Sequence, residues 1–376
     1  MNICITINSL VDGGAEKQSL LLAKALQSHY AVALIILNPE PIYAPHHKII
    51  EEENINHVFL SKNPVKKYFE FISFIKKNKI DVIFSFLPAD TLWAAICGKI
   101  TGVPYVFGGI RNSHITRPKF AALRFANNYL LNYTIANNFA AYASSIKFGF
   151  RNKVFVIANG IEIRPILQRD KTDSKIITII SVGRLVKQKR YDTALKTIFE
   201  LKNSLDKNFR LHYRIVGSGP EEDEILADIE KFKLQNEAQI IKNPPNVYEL
   251  LESSDIYLCT SSFEGISNSI MEAMNCALPV VATDAGDNSR LVINEKNGFI
   301  AKIEDYKTLA AHLGNLVKSL SMREQMGLEG YNHLMQNFGY EAFQKKYLGL
   351  LDKITEIQIK DGELQTQTQY SNKTDA

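Results

Sequence analysis

Two carboxylates separated by seven residues mark the run Ser261-Ser262-Phe263-Glu264-Gly265-Ile266-Ser267-Asn268-Ser269-Ile270-Met271-Glu272-Ala273-Met274. Glu264 falls where an apolar run ends, and Glu272 falls inside the helical pattern that follows. The stretch Gly265, Ile266, Ser267, Asn268 can present backbone N–H groups at a helix N-terminus, a place that attracts phosphate. Ionised carboxylates on either side accept hydrogen bonds from sugar or ribose hydroxyls. A plainer reading is also open: Ser269-x-x-Glu272 has the capping-box pattern, and Glu264 is then an ordinary loop carboxylate.

A second run, Val182-Gly183-Arg184-Leu185-Val186-Lys187-Gln188-Lys189-Arg190, joins an apolar stretch to a helix starting near Tyr191. Cations crowd that helix start, where the dipole disfavours each by roughly 0.3–1 kcal/mol. A bound diphosphate would relieve the conflict. Arg184 offers a forked donor and Lys189 a point charge, both suited to phosphate oxygens; the alternative is a solvated basic loop. Val216-Gly217-Ser218-Gly219-Pro220-Glu221 and Asp12-Gly13-Gly14-Ala15-Glu16 each join a strand to a helix, and their glycines let a ligand approach the backbone. Either could equally be a plain turn. Gly109-Ile110-Arg111-Asn112-Ser113-His114 follows another strand. Arg111 and Asn112 are candidate acceptor contacts and His114 a candidate catalytic group, against the ordinary reading of a surface histidine. The chain has no Asp-x-Asp at a strand end, no Gly-x-x-x-x-Gly-Lys-Ser/Thr loop and no His-Glu-x-x-His helix.

Positioning these loops requires strands that stop where the loops begin. Strand patterns cover Asn2–Asn8, Ala31–Leu37, Asp81–Phe86, Pro104–Gly108, Tyr133–Ala136 and Lys153–Ile157, with helical patterns such as Ala15–Gln27, Thr91–Thr101 and Lys119–Leu131 between them. Residues 161–174 turn polar and read as a linker. A second series follows at Ile176–Val182, Leu211–Val216, Ala238–Ile241, Ile256–Cys259 and Pro279–Ala282. Strands alternating with helices imply parallel sheets. The expected fold is therefore α/β, with two doubly wound, Rossmann-like domains, residues 1–165 and 175–339, facing across a cleft. Ligands in such sheets lie beyond the carboxyl ends of the strands. Residues of about 340–358 have helical spacing, and 359–376 are polar enough for a disordered tail.

Of the 376 residues 45% are apolar and 22% charged, enough for two cores. The four cysteines have no metal-ligand spacing and read as reduced core residues of a cytoplasmic protein. The N-terminus reads as a first strand, without a secretory leader, and no apolar run approaches the ~20 residues of a membrane span. A net charge of +4 does not call for nucleic acid. The charge is uneven: residues 1–160 carry 17 Lys and Arg against 9 Asp and Glu, while the remainder is net acidic.

Together these motifs resemble glycosyltransferase family 4, of bacterial surface-polysaccharide type, with its GT-B fold of two facing Rossmann-like domains. The resemblance rests on Gly183-Arg184-Leu185 through Lys189, on Gly217-Ser218-Gly219-Pro220-Glu221, and on Phe263-Glu264-Gly265 through Glu272-Ala273-Met274. Cys276-Ala277-Leu278-Pro279-Val280-Val281-Ala282-Thr283, Asn297-Gly298-Phe299 and Gly13-Gly14-Ala15-Glu16 extend it. It implies a retaining, metal-independent transfer of a hexose or N-acetylhexosamine from a nucleoside-diphosphate sugar, a UDP-sugar by preference, with no cofactor. Arg184 and Lys189 would hold the diphosphate, Glu264 the transferred sugar and Glu272 the ribose. Gly13, Gly14, Gly217 and the N–H groups from Gly265 to Asn268 would line the donor, and the last helix would cross back to the first domain. Gly286-Asp287-Asn288-Ser289-Arg290 departs from the family's commoner Gly-Gly-x-x-Glu, near the expected sugar. The acceptor implied is a glycan or lipid-linked saccharide in O-antigen, capsule or lipopolysaccharide assembly. A sugar-nucleotide epimerase of similar fold and a non-catalytic nucleotide-sugar binder are the rival readings, and a dinucleotide oxidoreductase lacks its third glycine.

The first domain's cations suggest one further partner. Lys62, Lys66, Lys67, Lys76, Lys77 and Lys79 flank Tyr68, Phe69, Phe71, Ile72 and Phe74, and Arg117, Lys119 and Arg124 sit with Phe120, Leu123 and Phe125. Basic residues beside aromatics suit peripheral docking on an anionic membrane. The alternative is that the aromatics are core and the lysines a solvated face.

Overall fold

The structure, a computed structural model, describes residues 1–111, 116–167 and 175–356. Its first sheet holds β1 (Asn2–Ile7), β2 (Ala31–Ile36), β3 (His57–Phe59), β4 (Val82–Ser85), β5 (Tyr105–Ile110), β6 (Tyr133–Ala136) and β7 (Val154–Val156). These lie in the order β3-β2-β1-β4-β5-β6-β7, all pairs parallel. The second holds β8 (Ile176–Val182), β9 (Arg210–Val216), β10 (Ala238–Ile241), β11 (Ile256–Cys259), β12 (Val280–Thr283) and β13 (Gly298–Ala301). Their order is β10-β9-β8-β11-β12-β13, again parallel.

The strands are apolar on both sides because helices cover both faces. Ile3, Ile5 and Ile7 of β1 pack with Leu20, Leu22 and Leu26 of helix Gly14–Gln27, while Cys4 packs on the other face with Phe71, Ala94 and Cys97. β8 alternates likewise: Ile177 and Ile179 meet Leu195 and Ile198 of helix Tyr191–Ser204, and Ile180 meets Ile270 and Met274 of helix Asn268–Asn275. All four cysteines are buried and none is in a disulfide.

In each sheet the strand order reverses once, between β1 and β4 and between β8 and β11. A crevice opens at such a point beyond the strands' carboxyl ends. The loops after β1 and β11 meet across the gap between the domains. Helix Leu320–Phe338 places Leu334 and Phe338 in the second domain's core, and the following helix, residues 340–356, places Phe343, Tyr347, Leu351 and Ile354 in the first. The chain thus crosses back at Gly339, where Ile161 N donates to Phe338 O at 2.9 Å, so the two crossings run side by side.

Two strands have no counterpart among the sequence patterns. β3 is three residues at a sheet edge, too short for a period to show. β13 opens on Gly298, and glycine weakens any strand signal. Residues 357–376, with the expected tail, lie outside the described residues.

Candidate active site

The loops that follow β8 and β11 are stitched together at the second sheet's reversal point. Ser262 N donates to Gln188 O at 2.8 Å, Gln188 Nε2 to Phe263 O at 2.8 Å, and Thr260 Oγ1 to Lys189 O at 2.9 Å. This lacing brings Lys189 Nζ within 2.6 Å of Glu264 Oε1, which also accepts from Ser261 Oγ at 2.7 Å. Both charged side chains are largely enclosed, 18% and 10% exposed. Burial pushes the Lys189 ammonium down, but the Glu264 carboxylate more than offsets this, so the net shift is upward and the lysine stays charged. Burial pushes the Cys259 thiol up, while Lys189 acts to lower it. Arg184, on the same loop as Lys189, is exposed.

The cationic helix start, where a bound diphosphate was expected to relieve the crowding, is already partly neutralised within the chain. Lys189 has Glu264. Arg190, in a left-handed conformation at φ +52°, pairs with Asp192 at 2.9 Å and with Glu304. Gly217 belongs to the same assembly: at φ +149° it brings its loop so close that a Cβ would lie 2.0 Å from Gly183 O.

Helix Asn268–Asn275 begins just past Glu264. Its N-cap is Ser267, whose Oγ accepts from Ile270 N, so the capping box from Ser269 to Glu272 does not form. Ile266 is a core residue. Glu272 is instead held across the cleft by Lys17 Nζ at 2.6 Å. Asn268 Oδ1 accepts from Asn159 Nδ2 of the first domain at 2.8 Å. Gly14 sits directly over Asn268, and a Cβ there would lie 2.7 Å from the amide nitrogen. Glycine at the mouth of helix Gly14–Gln27 leaves room for that side-chain amide where the first domain meets the helix terminus. The neighbouring Gly13 has the Glu16 carboxylate folded over it.

On the first domain, Arg111 stacks on Phe86, its guanidinium carbon 4.9 Å from the ring centroid, and donates to Asn159 Oδ1. Asn137 Nδ2 reaches the same oxygen at 3.1 Å. Burial lowers the Arg111 pKa to about 10, while Tyr347, Asp90 and Glu16 act to raise it. Asp90 lies fully buried and accepts from Phe86 N at 2.8 Å and Leu87 N at 2.9 Å; burial pushes its carboxyl up to about 7. Arg111 is therefore committed to the cleft floor. Asn112 and His114 lie outside the described residues.

The structure gathers Gly14, Lys189, Glu264, Ser267, Asn268 and Glu272 at one place, with Arg184 and Gly217 on adjoining loops. The sequence reading gave no role to Ser261, Lys17 or Asn159. Ser261 carried a signal, since it stands three residues before Glu264 in the same run. Lys17 and Asn159 carried none, because their roles come from the other domain. Among the described residues no group of three His, Cys, Asp or Glu converges as metal ligands would, and no helix is long and apolar enough to cross a membrane.

Comparison with known proteins agrees with this geometry. Residues 162–333 match the family model described as glycosyl transferases group 1. The amylovoran biosynthesis glycosyltransferase AmsD of Erwinia amylovora is 26% identical over 354 residues, 90% of this chain and 96% of that protein. A Campylobacter jejuni enzyme is 25% identical over 344 residues, 85% of this chain and 91% of its own length. It is named N-acetylgalactosamine-N,N'-diacetylbacillosaminyl-diphospho-undecaprenol 4-alpha-N-acetylgalactosaminyltransferase. The Anabaena protein Alr3699/HepE, solved in complex with UDP, superposes with a TM-score of 0.80 at 18% identity, covering 94% of this chain and 100% of that one. The chain is a glycosyltransferase of GT-B fold, and its second domain is of the group 1 glycosyl transferase family.

Proposed function

We propose that the chain is a family 4 enzyme that moves a hexose or N-acetylhexosamine from a UDP-sugar to a hydroxyl of a lipid-linked saccharide, with retention and without a metal ion or other cofactor. The observation that carries this reading is the Ser261–Glu264–Lys189 cluster at the end of β11, beside the start of helix Asn268–Asn275, where Gly14 covers Asn268. Lys189, Arg184 and the N–H groups of that helix start face the place where charge develops on the leaving diphosphate, and preorganised donors there lower the barrier. The bond from the anomeric carbon to the β-phosphate oxygen breaks, and the acceptor oxygen bonds the same carbon from the same face. The acceptor proton passes to the departing phosphate oxygen. Glu264, paired with Lys189, stabilises the oxocarbenium-like centre and accepts from a sugar hydroxyl.

The donor base follows the UDP complex of HepE, and the acceptor class follows the diphospho-undecaprenol name of the Campylobacter relative. A cytoplasmic protein must reach such an acceptor at the membrane surface. Helices Pro64–Lys77, Pro88–Thr101 and Arg117–Tyr129 lie side by side on the first domain. Phe71, Phe120 and Leu123 are core residues, so the aromatic stretches do not face solvent as a whole. Val65, Phe69, Ile96, Ile100, Phe125 and Tyr129 do remain exposed, among Lys62, Lys66, Lys99 and Arg124. That mixture suits an anionic bilayer.

The test is a panel of UDP-sugars with a diphospho-undecaprenol-linked saccharide, read by product mass and by the anomeric configuration. The expected product is one glycosyl unit heavier, with the donor's configuration and an unchanged rate in EDTA. Donor epimerised without transfer would overturn the reading in favour of the epimerase. Co-sedimentation with anionic vesicles, falling as salt rises, is expected for the docking face. Protein left in the supernatant at low salt removes the membrane from the proposal.

A further inference from the structure

The loop that departs from the family's pattern, Gly286 to Arg290, makes two contacts at once. Asp287 Oδ2 accepts from Phe139 N, the first residue of the first-domain helix Phe139–Lys147, at 2.7 Å. Asp287 N donates to Gly265 O at 3.0 Å, in the turn that carries Glu264. The fit is close. Gly286 is left-handed at φ +61°, and a Cβ there would lie 2.1 Å from Glu264 O. On the other side of the turn, a Cβ on Gly265 would lie 2.9 Å from both Arg111 O and Asn138 Nδ2. The Glu264 turn is thus clamped between the Gly286–Asp287 loop and first-domain residues 111 and 138–139. Asp287 is 5% exposed, and its carboxylate sits where the helix dipole favours negative charge. Arg290 closes the contact, its guanidinium carbon 3.5 Å from the centroid of the Phe139 ring.

We propose that Asp287 is a positioning residue that couples closure of the cleft to the placement of Glu264. Its side chain grips the first domain and its backbone grips the catalytic turn, so the turn reaches its working position only when the domains are together. The proposal rests on the assignment of Glu264 to the transferred sugar.

The contact can be cut from either end. Asp287→Ala removes the acceptor, and Phe139→Pro removes the donor N–H. Proline is tolerated there, because Phe139 is the first helical residue and Asn138 before it is extended at φ −156°, ψ 159°. Phe139→Ala keeps the N–H and loses only the ring. Asp287→Ala and Phe139→Pro are each expected to lower kcat about tenfold or more, with KM and UDP affinity within about twofold of the parent. Asp287→Asn, which keeps an acceptor oxygen, should recover most of the rate, and the double variant should be no slower than either single one. Small-angle scattering with UDP should show a more open particle for both single variants. A kcat for Asp287→Ala within about twofold of the parent would overturn the proposal. So would a full rate for Phe139→Pro, or loss of UDP binding in parallel with kcat. If the parent transfers no sugar at all, it is the reading of Glu264 that fails, and the scattering with UDP still decides whether Asp287 holds the cleft closed.

Discussion

The two domains share a strand order but meet the cleft with different chemistry. The second brings an enclosed ion pair, Lys189 with Glu264, and an exposed Arg184, all on loops that leave β8 and β11 at the sheet's reversal point. The first brings a glycine over Asn268, a set of asparagines and one lysine on Glu272, while two of its own charges are engaged within the domain, Arg111 on Asn159 and Phe86 and Asp90 on the backbone of Phe86 and Leu87. A shared order from the third strand to the sixth, with unequal loops, leaves any difference in chemistry to the side chains at the strand ends. On this view the second domain holds the donor and the chemistry, and the first closes over it.

The largest effect should follow Glu264→Gln. Loss of the carboxylate is expected to cut kcat by roughly 100-fold or more, the scale seen when a transition-state stabiliser is removed. Circular dichroism should show the fold retained. Near-parent turnover in the folded variant would break the comparison at its centre.

Next come the two cations, which differ from each other. Lys189→Ala removes a donor contact and leaves Glu264 enclosed without its partner, so transfer, UDP affinity and melting temperature should all fall. Arg184→Ala, at an exposed position, should weaken UDP binding by ~10–100-fold, the scale of a lost charge-assisted hydrogen bond, with no change in melting temperature. Calorimetry with UDP separates the two. Restoration of either variant by magnesium would contradict the view that these side chains stabilise the leaving diphosphate.

Lys17→Ala probes the first domain's share of donor binding. Its pair with Glu272 is short, but the lysine side chain is 46% exposed, and solvent screening leaves such a pair worth little. UDP affinity should change by less than about fivefold. A loss as large as that of Lys189→Ala would make the first domain an equal partner in holding the donor.

The smallest effect on activity is expected from Asp90→Asn, and it appears in stability instead. Asp90 binds its proton more tightly folded than unfolded, with the carboxyl at about 7 against an ordinary 3.8. The folded state is therefore favoured at low pH, and this contribution is lost as pH rises from 3.8 through about 7. Relative to Asp90→Asn, the parent should lose melting temperature across that window and show a constant difference above it, with UDP affinity the same in both. A changed UDP affinity would move Asp90 from scaffold to site.

Much of this could be read from residue order alone. Continuous apolar runs such as Ile3 to Ile7 and Ile176 to Val182 declare strands covered on both faces, and their alternation with helices declares parallel sheets. Glu264, Lys189 and Gly14 were legible because each stands in the few residues between a strand and a helix, where local sequence decides the turn. Short edge strands such as β3 were not legible, since three residues carry no period and pair only because a neighbour is already in place.

Partnership was decided by tertiary structure. Nothing near Glu272 in the chain indicates that Lys17 will hold it, nothing near Asn268 indicates Asn159, and nothing near Asp287 indicates the N–H of Phe139. These pairs span 255, 109 and 148 positions. The residue types at the strand ends determined what chemistry is available. Which groups face one another followed from two domains closing with the loops at their strand ends toward one gap, a packing outcome that no local pattern encodes.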